Sequence, residues 1–168
     1  AQREDPTTLT DLQRAARFVY LQRTAFGGKV SGRAFGVSHG LPSRFRASQV
    51  GEDLLAAAKR LEAVTIEQLG WSEFIARYDR PGVLFYLDPP YFGCERDYGD
   101  GMFGRAEFGA MAEQLAGLKG RFILSLNDRP EVREIFAQFE IEGVGTHYGI
   151  GGRGAQTASE VIITGGGT

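Results

Sequence analysis

The chain holds a single cysteine, Cys94, and only two histidines, His39 and His147. One thiol cannot close an internal disulfide, and no second thiol completes a cysteine-rich zinc site, so a packed core must carry the stability. Cys94, His39 and His147 lack the partners of a metal or nucleophile site and read as structural, and no metal is expected. Long apolar runs are missing as well. None is longer than Val83 to Leu87, which falls far short of the ~18 residues that span a membrane, and no basic start leads into an apolar stretch, the pattern of a cytoplasmic chain. Acid is missing from one region: between Leu12 and Gly51 there is none. That stretch carries Arg14, Arg17, Arg23, Lys29, Arg33, Arg44 and Arg46, a local +7, while residues 52–168 carry 11 basic and 18 acidic side chains, a local −7. A net charge of −2 conceals this segregation. Of the 19 basic residues all but Lys29, Lys59 and Lys119 are arginine, whose rigid fork suits phosphate oxygens and guanine edges. For a basic run taken alone, a solvated face is the simpler explanation.

What is present describes one globular domain. Hydrophobic residues make up 42% and charged residues 24% of the 168, which excludes disorder, and the 24 glycines, about twice the usual share, indicate many tight turns. Thr10 can cap a helix running to about Ala25, which Gly27 and Gly28 stop. Residues 29–50 show no helical period and read as an irregular excursion. The pattern then predicts a helix from Glu52 to Ala63, a short strand from Val64 to Leu69, a helix from Ser72 to Tyr78, and a strand from Val83 to Leu87 of the kind buried on both faces. A helix over 106–118, a strand from Arg121 to Leu126 and a helix from Pro130 to Phe139 follow, with Asp128 and Glu131 matching a capping box. Strands from Ile141 to Tyr148 and Val161 to Thr164 complete the set, and Gly165 to Thr168 reads as a frayed tail. Strand and helix alternate, so the fold class is α/β. There is no internal repeat.

The chemistry concentrates where the Val83 strand ends, at Asp88, Pro89, Pro90 and Tyr91. Ligands of open α/β sheets bind outside the carboxyl ends of the strands. Two prolines stiffen the turn and remove two N–H donors, leaving carbonyls free to accept. Asp88 and the Pro89 carbonyl can each take one hydrogen from a single amino group, while the Tyr91 ring offers a stacking face. The implied substrate is a flat heterocycle bearing an amine. Gly93, Gly99, Gly101 and Gly104 surround Tyr98 and Phe103 in a segment that either closes over that substrate or is an ordinary surface loop.

A strand followed by Asp-Pro-Pro-Tyr resembles the amino-methylating nucleic-acid methyltransferases. The surrounding stretches Arg17–Gly28, Leu84–Tyr91, Arg121–Asp128 and Ser159–Thr164 are similar to the Dam-type, or D12 class, adenine-specific DNA methyltransferases, particularly phage and prophage members. The resemblance implies a Rossmann-like sheet with a DNA-recognition insertion, divided as an N-terminal helix (1–28), a basic recognition segment and helix (29–63) and a catalytic α/β portion (64–168). It implies transfer of a methyl group from S-adenosylmethionine to the N6 amine of adenine in double-stranded DNA, in line and without a covalent intermediate, on a base flipped out of the duplex. Asp88, Pro89, Pro90 and Tyr91 become the catalytic set, Asp88 and Asn127 the cofactor contacts, and Arg23, Phe26, Lys29, Arg33, Arg44 and Arg46 the DNA contacts. Asp88, where cytosine-N4 enzymes more often carry Ser or Asn, favours adenine.

The chain also departs from that pattern. Relatives carry, before the basic region, a glycine motif and a Phe-x-Gly-x-Gly loop that cradles the cofactor, and neither is found here. Phe26, Gly27 and Gly28 end a helix, and the glycines from Gly143 to Gly154 open none. The expectation is therefore a sheet incomplete at its N-terminal half, whose missing part belongs to the same enzyme or to another polypeptide. A non-catalytic DNA-binding remnant and an enzyme acting on cytosine N4 or an RNA base are the alternatives.

Overall fold

The computed structural model describes residues 5–25, 45–95, 103–148 and 156–167, which belong to two units, Ala1–Glu67 and Gln68–Thr168. In the first unit, helix α1 (Asp11–Thr24) starts on a capping box: the Thr10 hydroxyl accepts from the Gln13 N–H while the Gln13 side chain accepts from the Thr10 N–H at 2.9 Å. Helix α2 (Ala47–Leu61) begins five residues before the expected Glu52, without a side-chain cap, so residues 47–50 are helical rather than irregular. Val64 to Leu69 forms no strand. Its alternating Val64 and Ile66 are exposed and, among the described residues, no neighbouring strand takes up their backbone groups, so alternation without a pairing partner leaves an extended connection.

The second unit is built on a sheet of four strands in the order β1-β2-β4-β3, comprising β1 (Leu84–Leu87), β2 (Arg121–Asn127), β3 (Glu140–Tyr148) and β4 (Gln156–Gly166). β1 and β2 are parallel, and β4 runs antiparallel to both β2 and β3, so only β4 opposes the other three. Helices α3 (Trp71–Tyr78), α4 (Arg105–Ala116) and α5 (Pro130–Ile135) accompany it. In α4, Phe108, Met111, Ala112 and Leu115 are buried at the i, i+3, i+4, i+7 spacing of one helical stripe. They join Phe85, Phe122, Leu124, Leu126, Val132, Phe136, Val161 and Ile163 in one core. Phe122 and Phe139 meet edge to face at 5.1 Å, over Gly165, where an added Cβ would lie 3.0 Å from both rings. Gly165 and Gly166 thus belong to β4 and are not a frayed tail.

Two further expectations are corrected. β1 is not buried on both faces: Phe85 and Leu87 are buried, but Leu84 is 56% and Tyr86 67% exposed. Among the described residues no layer covers the face that carries Leu84 and Tyr86, so β1 shows the alternation of a half-covered strand. Helix α5 is capped at Arg129, not Asp128, and no side chain makes the cap bond; it also ends at Ile135 rather than Phe139. Asp128 is drawn away by Arg133, whose guanidinium donates to its two carboxylate oxygens at 2.6 and 3.0 Å.

The entrance to β2 is fixed from α3. Asp79, the residue that ends α3, accepts the Lys119 N–H at 3.0 Å and the Gly120 N–H at 2.9 Å. Gly120 is required there, since a Cβ would sit 2.8 Å from the Val83 carbonyl oxygen. Replacing Asp79 by Ala leaves both N–H groups without that acceptor and is expected to lower unfolding free energy by about 1–3 kcal/mol. Chemical denaturation of the variant measures the loss.

Candidate active site

The register of the parallel pair sets the site. Leu87, the last residue of β1, lies opposite Leu124, so the chain leaves the sheet at Asp88 just where β2 continues to Ser125. Ser125 is buried, and its hydroxyl donates to Asp88 Oδ1 at 3.1 Å. Among the described residues no other side chain bonds that carboxylate, which leaves Oδ2 as an acceptor on an exposed residue. Pro89 and Pro90 follow, half-buried. The Tyr91 carbonyl then accepts the Cys94 N–H at 2.8 Å, closing a turn whose third residue, Gly93, has φ +88°, the conformation a type II turn demands of that position.

Side chains from β2 and β4 hold this loop. Asn127 accepts the Phe92 N–H at 2.8 Å and donates to the Phe92 carbonyl at 2.9 Å, so one amide grips both backbone polar groups of one residue. The Tyr91 hydroxyl donates to Glu160 Oε1 at 2.5 Å, and Glu160 is the β4 residue paired with Asn127. Below the loop, the Arg105 guanidinium lies 4.4 Å from the centre of the Phe92 ring, itself packed on Phe108. The backbone N–H groups of Glu95 and Gly93, with a smaller contribution from Arg105, hold the Glu95 carboxyl below the usual glutamate range.

Asp88, Pro89 and Pro90 line an open groove of about 1630 Å³, together with Trp71, Tyr86 and Glu107. The Trp71 indole N–H donates to Glu107, and Ser72 and Gln114 exchange hydrogen bonds at 2.7 and 3.0 Å, which ties the start of α3 to α4 across it. Tyr91 and Asn127 are not among its lining residues.

A family model for the D12 class N6 adenine-specific DNA methyltransferases matches residues 2–150. The chain belongs to that family. No curated protein matches it. The family's reaction is methylation of adenine in DNA at N6, and methyltransferases of this kind typically use S-adenosylmethionine. The mixed α/β sheet is compatible with such an enzyme. Among the described residues no group of His, Cys, Asp or Glu is arranged to hold a metal, and no helix is long and apolar enough to cross a membrane.

The residues expected to contact DNA are placed only in part. Arg23, in the last turn of α1, is ion-paired with Asp53 of α2, and that bond keeps the Asp53 carboxyl below its ordinary range. Arg46 is exposed at the start of α2. Phe26, Lys29, Arg33 and Arg44 lie outside the described residues, as do Tyr98, Gly99 and Gly101. Phe103 is buried, edge-on to Phe108 at 4.9 Å. The sequence reading overlooked Ser125 and Glu160 as partners of the motif. The period-2 spacing of Ser125 and Asn127 was a signal for one, whereas nothing local marks Glu160.

Because the folded state depresses the Glu95 titration, the charged form contributes stability above the glutamate's unfolded pKa, and that contribution is lost as pH falls through the folded one. The difference in melting temperature between the parent and Glu95→Gln should therefore be positive at neutral pH and vanish below the usual glutamate range. Thermal melts across acidic pH read it directly.

Proposed function

We propose that the chain methylates the N6 amine of adenine in duplex DNA, with S-adenosylmethionine as donor and the target base flipped out of the helix. The carrying observation is the acceptor site at the end of β1: an Asp88 carboxylate oriented by Ser125, on a proline-stiffened turn, at an open groove. The adenine amine is a weak nucleophile because its lone pair is delocalised into the ring. Asp88 and the Pro89 carbonyl accept its two hydrogens and turn the lone pair out of the ring plane, so the attacking atom is preorganised without a covalent intermediate. Asp88 is then the group placed to take the departing proton. Tyr91 stacks on the base.

S-adenosylmethionine supplies an electrophilic methyl group on a positively charged sulfur. The carboxylates of Asp88, Glu107 and Glu113 line one groove with the rings of Trp71 and Tyr86, a donor set that suits a cation carrying a purine. Asn127 enters through the loop it grips, and the residues proposed to meet the DNA are Arg23, Phe26, Lys29, Arg33, Arg44 and Arg46. Replacing Asp88 by Ala should abolish formation of N6-methyladenine and leave duplex affinity nearly intact. Mass spectrometry of digested DNA and a binding titration check both arms, and unchanged turnover removes Asp88 from the mechanism.

One observation favours a refinement of this reading. Parallel strands are ordinarily covered on both faces, yet β1 pairs only with β2 among the described residues and leaves Leu84 and Tyr86 exposed. A further strand along this edge, joined covalently or supplied in trans and carrying the glycine loop, would pair the open backbone of β1, and a helix following it would lie over Leu84 and Tyr86 and complete the cofactor pocket. The isolated 168 residues are then expected to show no saturable S-adenosylmethionine binding by calorimetry and to gain it, with turnover, when such a segment is added. Stoichiometric binding and turnover by the purified monomer overturn the refinement.

A further inference from the structure

We propose that Glu160 is a positioning residue for Tyr91, acting through the phenolic hydroxyl to hold the ring in one orientation. The inference rests on the reading of residues 88–91 as the adenine pocket. Stacking by itself needs only a flat face and would let phenylalanine serve at position 91. The structure gives the hydroxyl a role of its own. Glu160 stands on β4, 69 positions along the chain from Tyr91, and accepts its hydroxyl at 2.5 Å. The direction of the Glu160 side chain is set by the sheet, because buried Val161 points to the opposite face of β4. Asn127, its register partner, grips Phe92, and Ser125, two residues earlier on the same face of β2, holds Asp88. The Tyr91 backbone is fixed by the Cys94 turn and its ring tip by Glu160. A ring held at both ends has lost its two side-chain torsions before any base arrives, so less ordering is left to occur in the complex.

The same bond is removed by Glu160→Ala and by Tyr91→Phe, which makes a double-mutant cycle the test. With duplex DNA, S-adenosylmethionine and the completing segment that confers turnover, each single substitution is expected to lower kcat about tenfold and the double variant no further, with the KM for DNA changing less than about threefold. Glu160→Gln, whose amide oxygen still accepts the phenol, should recover most of the rate. A second arm needs no turnover: hydrogen exchange of the Phe92 and Cys94 amides in the intact chain should quicken by about the same factor in either single variant and in the double. Additive effects in the exchange arm, or exchange unchanged in every variant, overturn the proposal, as does a Glu160→Ala enzyme with the parent kcat. A parent chain that methylates some base position other than adenine N6 overturns the functional reading instead, and the exchange cycle still decides on Glu160.

Discussion

The pairing of Leu87 with Leu124 fixes the level at which β1 ends beside β2, and every feature of the candidate site depends on it. A shift of one residue would turn Phe85 and Leu87 out of the core and carry Asp88 to the other face, away from the Ser125 hydroxyl. The register is held from both ends. At the entrance to β2, Asp79 binds the Lys119 and Gly120 N–H groups, and Gly120 admits the Val83 carbonyl where a side chain would collide with it. At the exit, Ser125 and Asn127 project toward the loop that follows β1, while Leu124 and Leu126 between and beside them are buried.

The site is correspondingly a loop held by strands. Asp88, Pro89, Pro90 and Tyr91 lie outside regular structure, where backbone groups are free for a ligand, but Ser125, Asn127 and Glu160 come from the two central strands of the sheet and restrain the loop at three successive points. Such a division supplies accuracy without closing the pocket, since the restraining groups sit behind the acceptors. Tyr91 is not among the residues that line the groove with Asp88 and the prolines.

The family match covers residues 2–150, whereas Glu160 and buried Val161 and Ile163 stand beyond it. β4, the strand that carries them, is nevertheless central: it bridges β2 to β3 and closes the core over Phe122. β1 is half-covered, with Leu84 and Tyr86 exposed, whereas the centre of β2, Leu124 to Leu126, is buried throughout.

Local pattern determined much of this protein. The Thr10 cap, the helix over 106–118 and the strands from Arg121 to Leu126 and Ile141 to Tyr148 are each written within a few neighbouring residues, and each forms within about two residues of where the pattern places it. Apolar content was legible but coverage was not: VLFYL reads as a strand buried on both sides, and whether anything lies over Leu84 and Tyr86 depends on which distant elements pack on that face, to which the five residues carry no reference. Val64 and Ile66 alternate like a strand and find no partner, and Asp128 has the spacing of a cap yet is taken by an arginine five residues on, because two charge-assisted bonds outweigh one cap bond. Tertiary structure alone decided the partners of the motif. Ser125 is 37 and Glu160 69 positions from the residues they hold, and only sheet register, a relation between distant strands, sets them within hydrogen-bond reach.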